Sequence, residues 1–133
     1  MRVLALDYGS ARCGCAVSDP TGVLCTPLQP VLRPATRRGL GRLRELISEL
    51  EVELVVVGLP LSLTGDDTAQ TAETRRFAAA LQRSLTIPVE LYDERFTTRL
   101  AQRSGGRTSE DSRAAAHLLD SWLTRARVEA ARG

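Results

Sequence analysis

The chain has 133 residues, of which 43% are hydrophobic and 26% are charged, and its formal net charge is +2. This length fits one domain over residues 1–133 and leaves a second domain undersized. The net charge is too small to indicate a nucleic-acid partner by itself, and no apolar run approaches the length of a signal peptide or a membrane span.

Three extended segments come first along the chain. Residues 2–7 and 13–18 are short apolar runs, and a third extended stretch covers about residues 22–33. Pro27 and Pro30 cannot donate to a strand ladder, so the third strand is expected at a sheet edge. The short connections between the three segments favour an antiparallel meander.

The three cysteines are an odd number without a CxxC pair, which argues against a disulfide framework and for a reducing cytoplasm. Cys13 and Cys15 point to the same face of the second strand, where cysteine behaves as a small hydrophobe. The Cys13-x-Cys15 pair also matches half of a metal site, but no second half with ligand spacing follows. No role is assigned to Cys25.

The hydrophobic period then becomes helical. Leu40, Leu43, Ile47 and Leu50 recur at helical spacing after Thr36, whose hydroxyl suits a helix N-cap.

Two further strands follow, each reached through a helix. Residues 54–57 form a continuous apolar run, typical of a strand buried on both faces, and residues 89–92 form the last strand. A helix is expected over about residues 67–84, and two helical segments close the chain at about 97–103 and 109–127. Strands reached through helices run parallel to a neighbour by right-handed crossovers. The order predicts an α/β fold with a mixed five-stranded sheet, three strands antiparallel and two parallel, flanked by helices and with the first strand at its centre.

Asp7 ends the first strand, and Glu94 comes just after the last strand. Ligands in open α/β sheets gather beyond the carboxyl ends of the parallel strands, so both residues are candidates for a functional site. Each also has a structural explanation. Asp7 precedes a glycine-containing turn and can cap it, and Glu94 can be a surface acid paired with a neighbouring arginine.

Asp111 is the third candidate acid. Positions 115, 118 and 122 share its helical face, so its carboxylate lies in line with a buried stripe. The stretch 108–111 also fits a capping box, which leaves a structural role open. Three carboxylates meeting at one sheet end would suit Mg²⁺ or Mn²⁺. Two such ions can activate water and stabilise the leaving oxygen in phosphodiester hydrolysis.

Four segments in chain order carry a family resemblance, and they cover residues 7–19, 57–61, 93–98 and 111–123. Together they resemble the motifs of the YqgF/RuvX family, Holliday junction resolvases that are also linked to processing of small-subunit ribosomal RNA precursors. The resemblance implies a ribonuclease-H-like fold, and it carries the catalytic and metal-binding roles onto Asp7, Glu94 and Asp111. The stretch between Thr98 and Asp111 is shorter than is usual in that family, and it borders the implied site.

Substrate phosphates should be held by arginines, and all 18 basic residues of the chain are arginine. A G+C-rich genome would enrich arginine as well. The candidate substrate-binding residues are Arg12, Arg95, Thr98 and Arg99, which lie near the acids or in the motifs, and Arg75, which follows the loop at residues 65–67. The basic cluster before and within the first long helix is expected to be solvated, although it can bind a distant arm of a substrate. Only 4% of residues are aromatic, so recognition by backbone and shape is expected rather than base stacking.

The leading hypothesis is therefore a metal-dependent endonuclease that leaves a 5′-phosphate, in processing of the 5′ end of pre-16S rRNA, in resolution of Holliday junctions, or in both. The alternative is a non-catalytic nucleic-acid-binding factor in ribosome maturation or transcription. Phosphotransfer on a nucleotide is a third interpretation, but the actin-like kinases that share the Asp-x-Gly-Ser pattern need two domains. Symmetric cleavage of a four-way junction would require a homodimer, whereas RNA processing can be the work of a monomer.

Overall fold

The computed structural model describes residues 1–97 and 110–132. Its strands and helices, in chain order, are β1 (Val3–Asp7), β2 (Arg12–Ser18), β3 (Cys25–Pro27), β4 (Val31–Leu32), α1 (Arg37–Glu49), β5 (Leu54–Leu59), α2 (Ala69–Arg83), β6 (Val89–Asp93), a 3₁₀ turn (Glu94–Phe96) and α3 (Glu110–Arg132).

The strands form one mixed sheet in the order β3-β2-β1-β5-β6, and β4 pairs with β2 outside this path. β2 runs antiparallel to β1, β3 and β4, whereas β5 runs parallel to β1 and β6. The predicted α/β class, with β1 central in a sheet that is antiparallel on one side and parallel on the other, is confirmed.

The prediction of one continuous strand over residues 22–33 is wrong. The segment contains two short strands that pair with different parts of β2: β3 with residues 16–18 and β4 with residues 12–13. Pro30 lies between the two pieces and has no N–H to donate to a ladder. The expected edge position of this segment is confirmed by β3, the first strand in the sheet order.

The helices cover both faces of the sheet. Along β1, Leu4 and Leu6 pack in the cluster that contains the α1 and α2 side chains, whereas Val3 and Ala5 pack in the cluster formed with α3. Because side chains alternate along a strand, Asp7 belongs to the α3 side. That assignment decides which helix can contribute to a site around Asp7.

Helix α1 begins at the end of the sheet where β1 also ends. The N–H of Arg33, just before α1, donates to the carbonyl of Ala11 in the β1–β2 turn at 2.9 Å. At the other end of α1, the guanidinium of Arg2 donates to the carbonyl of Leu50 at 3.2 Å. The predicted N-cap is confirmed, since the Thr36 side chain accepts from the N–H of Gly39 at 3.1 Å.

Most of the helix predicted over residues 97–103 lies outside the described residues, as does the proposed capping box apart from residues 110 and 111. Among the described residues, no helix combines the length and the apolar character that crossing a membrane requires.

Candidate active site

Asp7 lies between two glycines on the neighbouring strands. It is the register partner of Gly14 on β2. On the other side, Leu6 pairs with Val57 of β5, so the next position along β5 places Gly58 beside Asp7. Glycine inside a strand commonly marks a place where another part of the protein approaches closely. Both glycines have that property here.

Gly14 is where helix α3 reaches the sheet. A Cβ at this position would lie 2.0 Å from the backbone oxygen of Asp111 and 2.9 Å from the backbone nitrogen of Ser112. The fully buried hydroxyl of Ser112 accepts from the N–H of Cys15 at 3.3 Å. The first turn of α3, and Asp111 with it, is therefore held directly against the strand that neighbours Asp7.

Gly58 leaves room for the Glu94 side chain. A Cβ at this position would lie 2.7 Å from Oε1 and 3.0 Å from Cγ of Glu94, and 3.0 Å from Cδ2 of Leu118. Glu94 begins the 3₁₀ turn that follows β6. The structure thus brings all three predicted acids to one end and one face of the sheet, with Asp7 in the strand, Asp111 over the glycine on one side, and Glu94 over the glycine on the other.

The pKa of the buried Cys13 thiol is affected by the nearby carboxylates. Its pKa is raised well above the ordinary value, first by the hydrogen bond with Cys15 and by burial, and further by the charges of Asp7 and Asp111. Both carboxylates therefore act on the same buried group. The only basic side chain within ion-pair distance of Asp111 in the described part of the chain is Arg12, whose Nε lies 3.8 Å from Oδ2.

The three carboxylates fit a hard divalent cation by their chemistry, because carboxylate oxygens are the ligands that such ions prefer. The second feature that fits is the close approach of Asp111 at Gly14 and of Glu94 at Gly58, which brings both acids beside the strand of Asp7. Within residues 1–97 and 110–132, however, no three His, Cys, Asp or Glu side chains are gathered closely enough to hold a metal ion.

The predicted substrate-binding arginines differ in their surroundings. Arg12 is well exposed, with 59% of its side chain accessible. Arg75 forms two hydrogen bonds with the carboxylate of Asp67, the shorter at 2.9 Å. Thr98 and Arg99 lie outside the described residues.

Arg95 is bound within the protein. Its Nη2 donates to Asp93 Oδ2 at 2.7 Å, and its Nη1 donates to the carbonyl of Leu63 at 3.4 Å. The guanidinium also lies beside Gly65, whose φ of 88° is in the left-handed region. Arg95 therefore supports the loop that follows β5 as well as neutralising Asp93, whose pKa it lowers by hydrogen bonding.

Reasoning from the sequence missed Gly14 and Gly58. Each interrupts an otherwise apolar strand, and that signal alone could have indicated a close approach. It also missed Asp67 and Asp93, which pair with the arginines assigned to the substrate.

The model of the RuvX family, described as "Holliday junction resolvase", matches residues 1–125. The chain belongs to this family. Three curated relatives share the provisional name of a pre-16S rRNA nuclease. The protein of Koribacter versatilis is 47% identical over 77% of this chain and 67% of its own length. Those of Maridesulfovibrio salexigens and Syntrophomonas wolfei are 37% and 39% identical, over 95% and 92% of this chain and 100% and 94% of their own lengths.

Solved structures extend the likeness of this RuvX family member to a second group of proteins. RuvC of Thermus thermophilus in complex with a Holliday junction superposes with a TM-score of 0.69 at 15% identity, covering 96% of both chains. A second structure of Thermus thermophilus RuvC gives a TM-score of 0.59 at 16% identity, again over 96% of both chains. At these identities the likeness establishes a shared fold, and it confirms the ribonuclease-H-like architecture predicted from the motifs.

Proposed function

We propose that the protein is a metal-dependent endonuclease that hydrolyses phosphodiesters in structured nucleic acid, with Asp7, Glu94 and Asp111 as its catalytic and metal-binding residues. The observation that carries the proposal is the row across the sheet in which Gly14 and Gly58 flank Asp7. Each glycine gives up its side-chain space to a segment that bears one of the other acids. Membership of the RuvX family supports the same assignment.

In this mechanism the three carboxylates would hold Mg²⁺ or Mn²⁺. When bound, such ions activate the attacking water and stabilise the leaving oxygen. Asp7 is fixed by the β1–β2 ladder, so it defines the centre. Glu94 begins the 3₁₀ turn after β6 and lies over Gly58, so its carboxylate would complete the metal site from the β5 side of Asp7.

The remaining residues of the site bind and orient the substrate. Arg12 lies beside Asp111 and is exposed, so its guanidinium can contact the phosphate next to the one attacked. Leu118 packs at Gly58 beside Glu94 and keeps water from the inner side of the carboxylates. Attack by water on the phosphorus leaves a 5′-phosphate on one product and a 3′-hydroxyl on the other.

The substrate we propose first is the 5′ end of pre-16S rRNA, since the curated relatives bear that name. The four-way DNA junction is the second, because the family description names it. Symmetric cutting of such a junction would require a homodimer. We place the protein in the cytoplasm as a single domain over residues 1–133. Its three cysteines are free thiols, as a reducing compartment would keep them.

The proposal is tested with the wild type, Asp7→Asn and the control Asp120→Asn, which removes an exposed carboxylate elsewhere on α3. Each is incubated with a precursor 16S rRNA fragment and with a four-way DNA junction, in Mg²⁺ or Mn²⁺. Cutting by the wild type and the control, but not by Asp7→Asn, is the expected result. Binding without cutting by any of the three would instead favour a non-catalytic role in ribosome maturation or transcription.

A further inference from the structure

A segment of the chain with no acidic residue adjoins the candidate site. Residues 20–44 contain five arginines and no aspartate or glutamate. Three of these arginines, Arg33, Arg37 and Arg38, lie between β4 and the first turn of α1, and all three are exposed. We call these three residues the α1 rim.

The rim begins beside the site and leads away from it. Arg12, the arginine close to Asp111, is the register partner of Leu32 on β4. Arg33 follows directly, and its N–H donates to the carbonyl of Ala11 at 2.9 Å. The rim therefore continues the positive surface that Arg12 starts at the end of the sheet where the three acids lie.

The backbone holds the rim in a specific shape. Arg33 has a φ of 45°, a left-handed conformation that costs a non-glycine residue free energy. Its carbonyl accepts from the Thr36 hydroxyl at 2.7 Å. The close approach of Arg33 and Pro34 to α1 requires Gly39, because a Cβ there would lie 2.1 Å from the Arg33 oxygen. These contacts fix the chain between β4 and α1, and with it the spacing of the three charges.

The charges of the α1 rim are not neutralised by ion pairs within the described residues. Neither Arg33, Arg37 nor Arg38 forms an ion pair in residues 1–97 and 110–132, whereas Arg75 and Arg95 are held by Asp67 and Asp93. Two arginines in the first turn of α1 also oppose the helix dipole, which favours negative charge at that end. Three accessible positive charges therefore lie together on the α1 side of the site, whereas Arg75 and Arg95 are held by carboxylates.

The chemistry of the rim fits a nucleic-acid backbone. Residues 20–44 contain no Phe, Tyr or Trp, so this segment supplies no platform for unstacked bases. Surfaces for single strands usually combine basic grooves with stacking aromatics. Arginines without aromatics suit a duplex, in which phosphates are exposed and bases are paired.

We propose that the α1 rim binds the phosphates of a duplex arm that flanks the cleaved phosphodiester. The assignment rests on the proposed function, because it gives the substrate a direction across the site: the cleaved strand at Asp7, and the arm over Arg12, Arg33 and the start of α1. Arg37 and Arg38 would each neutralise about one phosphate of this arm.

The test is the salt dependence of binding by the double variant Arg37→Gln with Arg38→Gln. The matched control is Arg83→Gln with Arg132→Gln, which removes the same charge at the ends of α2 and α3, away from the site. The probes are a duplex with a single-stranded tail and the tail strand alone, each made in DNA and in RNA. The slope of log K against log salt should become shallower by about 2 for the rim variant on the tailed duplex, and stay near wild type for the control.

Each outcome decides one question. Equal slopes for the rim variant and the control, or an equal change on the tail strand alone, would overturn the duplex-arm assignment even if the wild type cuts. A changed slope on the tailed duplex only, with no cutting in Mg²⁺ or Mn²⁺, would keep the rim and overturn the nuclease. A wild type that binds none of the probes would overturn both.

Discussion

Asp7 and Gly14 face each other across the β1–β2 ladder, and the missing side chain of the glycine is the space that the backbone of Asp111 occupies. One acid is thus placed by a strand, and another is placed by the absence of a side chain on the next strand. The same relationship recurs on the other side of Asp7 between Gly58 and Glu94. Substitutions at the two glycines should therefore affect the site in different ways.

Gly58→Ala should lower activity more than stability. The added methyl would meet side-chain atoms only, Oε1 and Cγ of Glu94 and Cδ2 of Leu118, and would displace the Glu94 carboxylate. We expect cutting to fall by about tenfold or more, because small displacements of catalytic groups carry large costs. The melting temperature should change little. Cleavage assays and thermal unfolding of the same preparation measure both quantities, and a variant with full activity would contradict the proposed place of Glu94.

Gly14→Ala should instead destabilise the fold. Its methyl would meet backbone atoms of Asp111 and Ser112 at 2.0–2.9 Å, and no side chain can rotate out of the way. We expect a loss of about 1–3 kcal/mol in the free energy of unfolding, as for other overpacked sites.

The control for this prediction is Gly41→Ala within α1. A Cβ there meets only the end of the Arg44 side chain at 3.6 Å, an ordinary contact. Since alanine favours a helix over glycine, this variant should gain about 0.5–1 kcal/mol. Chemical denaturation of the two variants beside the wild type compares the effects directly. Equal stability of all three would show that α3 does not lie against β2 at Gly14.

Tyr8 should make stability depend on alkaline pH. Burial and the hydrogen bond from its hydroxyl to Glu73 Oε1, at 3.0 Å, raise the pKa of Tyr8 to about 12. A group whose pKa is raised on folding stabilises the protein below its unfolded pKa of about 10, and that contribution is lost as pH rises toward the folded value.

The measurement is the stability difference between wild type and Tyr8→Phe. Near pH 9 the wild type should be more stable by about 1 kcal/mol, because the variant lacks the hydrogen bond to Glu73. The difference should shrink between pH 10 and 12, because there the wild type must take up a proton at Tyr8 on folding and the variant need not. Glu73→Gln keeps an acceptor and should shift the Tyr8 titration toward lower pH. A difference that stays constant up to pH 12 would contradict the assignment.

Arg12 should matter more for nucleic-acid binding than Arg75, although both were candidates. Arg12 is 3.8 Å from its nearest carboxylate and 59% exposed, whereas Arg75 is bound to Asp67 at 2.9 Å. Losing a phosphate contact makes the salt slope shallower by about 0.9 on duplex DNA. We expect that change for Arg12→Gln and almost none for Arg75→Gln. The reverse order in a binding titration would show that the Asp67 pair opens for the substrate.

Much of this structure could be predicted from the chain itself. The periods of apolar residues identified most strands and helices. The spacing of Ala115 and Leu118 from Asp111 identified the face of α3 that packs on the sheet, and both Ala115 and Leu118 are buried. These features are local in sequence, so pattern and propensity determine them. Thr36 as the cap of α1 belongs to the same class.

What could not be predicted depends on contacts between distant segments. The clearance at Gly14 and Gly58 requires knowing which strands neighbour β1 and in which register. The division of residues 22–33 into β3 and β4 depends on where each piece meets β2. The pairs that bind Arg75 and Arg95 involve aspartates that a sequence pattern cannot distinguish from solvated ones.

The anchoring of α3 on β2 joins Cys15 and Ser112, two residues 97 positions apart. Contacts of such long range form late in folding, because the chain between them must be ordered first. During synthesis on a ribosome, β1 with Asp7 is made first, and α3, which carries Asp111 and covers one face of the sheet, is made last of the described elements. An incomplete product would therefore lack the third proposed acid, and synthesis order would delay the assembly of the proposed site.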